Sequence, residues 1–426
     1  MADYHIQPSH LHGGITVPPS KSHTLRAILF AALAKGTSTI HHFLPSPDTS
    51  AMIDAVRLLG AEVTIKNHTL LIQGVAGKPH VTEDIIQCGN SGQVLRFIGA
   101  IGALSSHYTV LTGDHSIRHQ RPVKPLLEGL TQLGAFATST RGDDYAPIII
   151  KGPLTKRTAT LEGKDSQPVS GLLIAAAFAP HPIELHVKDP GEKPWIDLTL
   201  DWFQRLGINY HMKDYTFYKM QGSSQLESFT YTVPGDFSTA AFPIAAALLT
   251  HSEVTLYNVD MKDIQGDKAI IPILERMGAI FNIDPDKRTL SVKKQSSIEG
   301  GVIDVNDCID ALPILSVIAC FAKKPTNIVN AAIARKKESD RIACMASELK
   351  KMGAKLEEMD DGLTIYPSKL YGAEVNSYHD HRIALSLSVA ALAAIGVTTV
   401  HGVECMAKTY PNFYDDFKAI GANIRL

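Results

Sequence analysis

The 426-residue sequence predicts a mixed α/β protein of two domains, each assembled from three small modules of helices and strands. Three observations lead there. First, a short pattern recurs six times: Leu59-Gly60-Ala61, Leu133-Gly134-Ala135, Leu206-Gly207-Ile208, Met277-Gly278-Ala279, Met352-Gly353-Ala354 and Ile420-Gly421-Ala422. The glycines stand 74, 73, 71, 75 and 68 residues apart, the signature of an internal repeat. Second, apolar residues at helical spacing precede the copies, and alternating runs follow them. Third, a chain of this length that is 45% hydrophobic and 20% charged can build two or three domains with proper cores.

Each copy reads as a helix ending, with glycine supplying the left-handed residue that closes the last turn. Before the first copy, Met52, Ile53, Val56 and Leu59 share a helical face, and Asp48-Thr49-Ser50 reads as the N-terminal cap. After it, Val63-Thr64-Ile65, a turn near Asn67 and Leu70-Leu71-Ile72 predict a hairpin. Lys355-Leu356, a turn at Asp361-Gly362 and Leu363-Thr364-Ile365 predict another. A module of roughly 70 residues is too small to be comfortable alone, so six modules imply two domains of three.

The formal net charge of −2 provides no overall field for nucleic acid or an acidic membrane. Met-Ala-Asp-Tyr-His-Ile lacks the basic start and apolar core of a signal peptide. The most apolar segment, Ile383 to Val397, is short for a membrane span and contains two serines, which predicts a buried helix. Cys88, Cys308, Cys320, Cys344 and Cys405 show no CxxC spacing, as expected for reduced thiols in a cytoplasmic protein.

Any anion binding must therefore come from local clusters, and six stretches place cations at loop-to-helix junctions. In Pro18-Pro19-Ser20-Lys21-Ser22-His23-Thr24-Leu25-Arg26, Ser20 or Ser22 reads as the cap of an apolar helix whose N–H groups favour an anion. It is not a nucleotide P-loop, because Ile15 and Ser20 stand where the glycines would be. Cys88-Gly89-Asn90-Ser91-Gly92-Gln93-Val94-Leu95-Arg96 has a glycine pair that lets backbone N–H groups approach a phosphate or carboxylate. Arg118-His119-Gln120-Arg121-Pro122 predicts a helix opening at Pro122 with Arg121 at its mouth. In Lys336-Lys337-Glu338-Ser339-Asp340-Arg341, helical spacing would put Lys337 and Arg341 on one face, with Glu338 and Asp340 as simple salt-bridge partners in the plainer reading. His379-Asp380-His381-Arg382 caps the apolar helix, and Ala407-Lys408-Thr409-Tyr410-Pro411 follows. The His-x-His pair has no third ligand at a metal-binding spacing, so no metal is expected. Lys21, Arg26, Arg96, Arg121, Lys337, Arg341, Arg382 and Lys408 thus suit one small, highly anionic ligand set better than a long polyanion.

Taken in order, Pro-Ser-Lys-Ser with Leu-Arg-Ala, Gly-Asn-Ser-Gly with Leu-Arg, Arg-Pro, Lys-Glu-Ser-Asp-Arg, Asp-His-Arg and Ala-Lys-Thr-Tyr-Pro run over nearly the whole chain. In this the sequence resembles the 5-enolpyruvylshikimate-3-phosphate synthases, enolpyruvyl transferases of the shikimate pathway. The resemblance implies a two-domain enolpyruvyl transferase-like fold, each domain of three βαβαββ repeats. Residues 1–18 and 236–426 would form a discontinuous domain and 19–235 an inserted one, with crossing strands near Pro18-Pro19 and Pro234-Gly235. The active site would lie in the cleft between them, closing over shikimate 3-phosphate and phosphoenolpyruvate in a monomer with no metal or organic cofactor.

The resemblance also implies roles. Lys21 would touch both substrates, with Ser22 and Arg26 on the shikimate carboxylate side. Ser166 and Gln167 would contact the shikimate phosphate and the bridging region, and Lys337 and Asp310 the shikimate hydroxyls. Gly92, Arg121, Gln167, Arg341, Arg382 and Lys408 would surround phosphoenolpyruvate, supported by Asn90 and Arg96. Asp310 is suited to take the proton of the attacking 5-hydroxyl, and Glu338 or Lys21 to deliver one to C3 of the enol. A plainer reading of Asp310 is a helix cap.

The chain also departs from the family. Asp165 stands where a serine is usual, Glu192 occupies a second phosphate-binding serine position, Trp195 replaces a nearby tyrosine, and Ile333 replaces a polar residue near the shikimate ring. Two carboxylates beside a phosphate repel unless they turn away or pair with Lys164, Lys193 or Arg157. Gly92 leaves room for the inhibitor glyphosate and implies sensitivity, although Gln93 and Phe97 replace the threonine and proline of sensitive enzymes. Two alternatives remain. A UDP-N-acetylglucosamine enolpyruvyl transferase would carry Lys-Asn at Lys21-Ser22 and a reactive cysteine within Gly113 to Arg121, and neither occurs. A non-catalytic anion binder of the same fold would gain nothing from Asp310 and Glu338.

Overall fold

In the computed structural model, which describes residues 2–294 and 297–426, the chain divides into two units. One comprises Met1–Pro19 with Pro234–Leu426, and the other is Ser20–Val233. The chain passes between them at Pro19–Ser20 and at Val233–Pro234, so a proline with fixed φ stands at each passage.

All six repeat glycines end helices, with φ between 68° and 102°. That conformation is disfavoured for residues with a Cβ, which explains why glycine recurs there. Among the described residues the strands form six four-stranded sheets, each with one parallel pair at an edge and two antiparallel pairs after it. In the Ser20–Val233 unit the antiparallel hairpins at the other edge are Glu62–Lys66 with Thr69–Gln73, Phe136–Ser139 with Ile148–Lys151, and Tyr210–Lys213 with Phe217–Met220. In the other unit they are Phe281–Asp284 with Thr289–Val292, and Lys355–Met359 with Gly362–Tyr366. The sixth sheet instead pairs Asp3–Gln7 with both Thr398–His401 and Asn423–Arg425.

Each unit carries three largely apolar helices that are almost wholly buried, with their few polar residues concentrated toward the N-terminal turns. They are Lys21–Leu33, Gly92–Gly102 and Ser166–Phe178 in one, and Phe237–Leu249, Leu312–Cys320 and His381–Ala393 in the other. Such helices belong inside a packed layer rather than on a surface. No helix among the described residues is long and apolar enough to cross a membrane.

Local details correct several expectations. Ser46, not Asp48, caps the Pro47–Leu58 helix, because Pro47 suits the first helical position and the Ser46 side chain accepts the Thr49 N–H. The helix expected from Pro122 begins at Lys124, with Pro125 in its first turn and the Val123 N–H turned to the Asp144 carbonyl at 2.7 Å. Lys337 and Arg341 do not share a helical face. The Asp340 side chain accepts the Ala343 N–H at 3.0 Å and starts the helix at Arg341, leaving Lys337 outside it. The turn expected at Asp361-Gly362 falls one residue earlier. Gly362 opens the second strand, where a Cβ would lie 1.9 Å from the Ile328 carbonyl oxygen.

Candidate active site

Most of the residues singled out in the sequence lie at or just ahead of helix N-termini, where unpaired N–H groups and the helix dipole favour negative charge. Each unit holds its own cluster.

In the Ser20–Val233 unit, Ser20 caps the first helix through the His23 N–H at 3.4 Å, which leaves Lys21 as the first helical residue. The Lys21 Nζ lies 3.6 Å from Oδ2 of Asp48. Asp48 is buried in the first turn of the next helix and accepts the hydroxyl of Ser91 at 3.0 Å. Ser91 in turn caps Gly92–Gly102 through the Val94 N–H. Asp48 thereby joins the first two cation motifs, a role its position in the sequence did not announce.

Three side-chain ends crowd the side of Gly92 where a Cβ would stand. A Cβ built there would meet a guanidinium nitrogen of Arg121 at 2.6 Å, one of Arg96 at 2.8 Å and Oε1 of Gln167 at 3.0 Å. Arg96 donates to the Gly92 carbonyl and to Gln167 Oε1, both at 3.3 Å, and to the Pro122 carbonyl at 2.9 Å. Asn90 accepts from Arg121 at 3.5 Å and donates to Asp114 Oδ2 at 2.7 Å and to the Ser116 hydroxyl at 3.0 Å. Burial would raise the Asp114 carboxyl, but hydrogen bonds from Asn90, the Ile117 N–H and Ser116, with Arg121 nearby, hold it below its ordinary value. Asp114 therefore stays an anion that fixes Asn90 and, through it, Arg121.

Arg26 is 1% exposed. Its guanidinium donates to the Thr199 hydroxyl at 3.1 and 2.9 Å, to the Ser22 carbonyl at 3.2 Å and to the Trp195 carbonyl at 3.2 Å, and it lies 5.1 Å from the Phe97 ring centre. These hydrogen-bond acceptors are all neutral, and burial pushes the guanidinium down to about 9. It remains a cation at neutral pH, held ready for a counter-charge.

The two unexpected carboxylates are both engaged. Asp165 caps the Ser166–Phe178 helix through the Gln167 N–H at 3.0 Å and sits 3.2 Å from Arg96. Glu192 accepts both the backbone N–H and the hydroxyl of Ser166, each at 3.0 Å.

The other unit centres on Arg341, which is buried at the start of the Arg341–Lys351 helix. It donates to Asp310 at 2.6 Å, to Glu338 at 2.9 Å and to Asp380 at 2.8 Å. Burial alone would lower its hold on a proton, but Asp380, Glu338 and Asp310 outweigh that and keep it well above its ordinary value. Arg382 binds the other oxygen of Asp310 at 3.1 Å and is oriented by the Ser238 carbonyl at 2.9 Å and the Ser238 hydroxyl at 2.6 Å. The Lys408 Nζ donates to the second oxygen of Glu338 at 2.6 Å.

Asp310 is not a cap. It lies in the tight turn Asn306–Ala311 before Leu312–Cys320, a helix with no side-chain cap, and this turn packs on the turn Ala332–Lys336 just ahead of Lys337. Asp380, read in the sequence only as a cap, both caps its helix through the Arg382 N–H and bridges Arg341 to the Ser339 hydroxyl. His379 is exposed and His381 buried, and among the described residues no group of three His, Cys, Asp or Glu side chains is placed to hold a metal.

Chemically, the first cluster offers cations held mainly by neutral groups and longer ion pairs, whereas in the second the carboxylates Asp310, Glu338 and Asp380 are engaged at short range by guanidinium or ammonium groups. Such a set can bind a compact polyanion and move protons within it.

The family described as EPSP synthase (3-phosphoshikimate 1-carboxyvinyltransferase) matches residues 6–417. The 3-phosphoshikimate 1-carboxyvinyltransferase of Chlamydia muridarum is 43% identical over 424 residues, covering 99% of this chain and 95% of that one. Its counterpart in Chlamydia trachomatis serovar L2 is 44% identical over 423 residues, with the same coverage. The solved EPSP synthase of Acinetobacter baumannii superposes with a TM-score of 0.82 at 28% identity, covering both chains in full. On a match that runs over nearly its whole length, the chain belongs to the EPSP synthase family.

Proposed function

We propose that this chain transfers the enolpyruvyl group of phosphoenolpyruvate to the 5-hydroxyl of shikimate 3-phosphate and releases phosphate, with the two clusters acting on the one substrate pair. The observation that carries this reading is the pairing of Asp310 and Glu338 with Arg341, Arg382 and Lys408. Carboxylates can also hold cations in place, as Asp380 holds Arg341, but addition and elimination across an enol needs a base and an acid as well, and Asp310 and Glu338 stand among the cations where these would act.

Asp310 takes the proton of the 5-hydroxyl as its oxygen adds to C2. Glu338 or Lys21 gives a proton to C3, and the same group takes a proton back from C3 as the tetrahedral intermediate expels phosphate, which restores the carbon–carbon double bond. Arg121, Arg341, Arg382 and Lys408, with Gly92 and Gln167, receive phosphoenolpyruvate, while Asn90 and Arg96 support them. Ser22 and Arg26 receive the acceptor carboxylate, Ser166 and Gln167 its phosphate side, and Lys337 its hydroxyls. Lys21 reaches both substrates. The buried, neutrally partnered guanidinium of Arg26 supports its assignment to a carboxylate. Two phosphates and two carboxylates brought together without such cations would repel strongly once water is excluded.

Phosphate release from phosphoenolpyruvate is the test. It is expected with shikimate 3-phosphate and not with UDP-N-acetylglucosamine or without an acceptor. Release only with the nucleotide sugar, or none, overturns the reading.

The crowding around Gly92 yields a second expectation. In Gly92→Ala the new methyl displaces Arg121 and Arg96 by some tenths of an ångström. The KM for phosphoenolpyruvate should then rise about tenfold, since a small misplacement of charged contacts costs on the order of 1 kcal/mol or more. The acceptor KM should move much less. Steady-state kinetics with each substrate varied in turn checks this.

A further inference from the structure

The donors at the start of the Ser166–Phe178 helix are already occupied by an anion of the chain itself. The Ser166 N–H and hydroxyl converge on a single oxygen, Oε2 of Glu192, at 3.0 Å each. A main-chain N–H and a hydroxyl meeting on one oxygen at the positive end of a helix is also how a phosphate oxygen is held.

Glu192 is delivered there by a fixed backbone. It is 2% exposed, and its φ of 45° and ψ of 41° are uncommon for a residue with a side chain. Its loop is fastened by Gly191 N–H to the Gly163 carbonyl at 3.0 Å and by Gly163 N–H to the Lys188 carbonyl at 2.8 Å. A Cβ at Gly191 would lie 2.8 Å from the Lys164 carbonyl oxygen, so the loop cannot easily shift toward Lys164. Only the side-chain torsions of Glu192 remain for withdrawing the carboxylate. The same segment also anchors Arg26, through the Trp195 carbonyl and the Thr199 hydroxyl, so both assigned ends of the acceptor meet the chain at Glu192–Thr199.

We propose that Glu192 is a built-in competitor for the acceptor's phosphate and a determinant of acceptor affinity. Its carboxylate holds the Ser166 donors in the free chain and leaves them when a phosphate takes its place, because two anions cannot share those donors at contact distance. This rests on the reading that Ser166 receives the acceptor phosphate. A carboxylate that served only to cap the helix would contribute to stability without distinguishing the two substrates.

The test uses Glu192→Ser and Glu192→Gln in the full chain, with shikimate 3-phosphate and phosphoenolpyruvate varied independently and thermal unfolding followed with and without inorganic phosphate. Glu192→Ser should lower the acceptor KM about tenfold or more, the scale of one charge-assisted hydrogen-bonded contact. Glu192→Gln, which keeps the size and a neutral acceptor oxygen, should lower it less, and the phosphoenolpyruvate KM is the internal control. Inorganic phosphate should raise the Tm of Glu192→Ser more than that of the unaltered chain. An acceptor KM that is unchanged or raised, or both KM values moving together, overturns the proposal; Glu192→Gln carries that test if Glu192→Ser does not fold. If the unaltered chain shows no turnover with shikimate 3-phosphate, the functional reading fails. The phosphate-dependent Tm difference then decides the competitor on its own: a difference supports it and equal shifts overturn it.

Discussion

Arg341→Ala is expected to lower the Tm by about 6 to 20 °C and to abolish measurable turnover. The reason is the company that Arg341 keeps. Three carboxylates, Asp310, Glu338 and Asp380, converge on its guanidinium, and Asp380 is wholly buried. Removing the cation leaves them facing one another in a poorly solvated place. Breaking a buried pair by deleting one partner costs about 3–5 kcal/mol. In a unit of about two hundred residues each kcal/mol is worth roughly 2–4 °C. Arg341→Lys keeps the charge but not the planar fork that reaches three acceptors at once, so it should fall between the two. Thermal denaturation of both variants, beside the unaltered chain, checks the order.

Asp310→Asn is the complementary case, with a small effect on size and a large one on chemistry. The two oxygens of Asp310 accept from different arginines, Arg341 and Arg382. The amide can accept from one of them but turns an NH2 toward the other, and it cannot take a proton from a hydroxyl. Loss of a general base lowers kcat about a hundredfold to ten-thousandfold. The KM for phosphoenolpyruvate should also rise, because Arg382 loses one of the groups that orient it. A variant that keeps kcat removes Asp310 from the proton transfers and leaves it a structural partner of the arginines.

The repeat glycines made the module boundaries legible, since the physics that asks for glycine at a helix end is local. The buried helices were legible for the same reason: Lys21–Leu33 and His381–Ala393 are apolar runs that begin at a polar cap. Helix starts were less legible where two caps competed. Ser46 and Asp48 both suit a cap, and Pro47 decides between them. Asp340 cuts Lys337 off from a helix that charge spacing alone would extend through it.

Sheet closure could not be read locally at all. Thr230–Thr232 completes the sheet of Thr37–His41, and Asp3–Gln7 pairs with Thr398–His401, because backbone pairing between distant strands leaves no mark in either segment alone. The cations of the site were legible as a set, while the groups that aim them were not. Asp48 and Asp380 read as parts of ordinary helix caps, and nothing in the local sequence marks Asp114 or Ser238. Only the fold brings each one against a lysine, an asparagine or an arginine of the cluster.

The measurement that bears most directly on the account is the fate of the carbon skeleton of phosphoenolpyruvate. The chain is incubated with shikimate 3-phosphate and phosphoenolpyruvate labelled with carbon-13 at C2, and the products are followed by NMR and mass spectrometry. The label is expected in an enol ether on the 5-oxygen of the acceptor, with one phosphate released for each label transferred. Label recovered only as pyruvate, or phosphoenolpyruvate left unchanged, would contradict it.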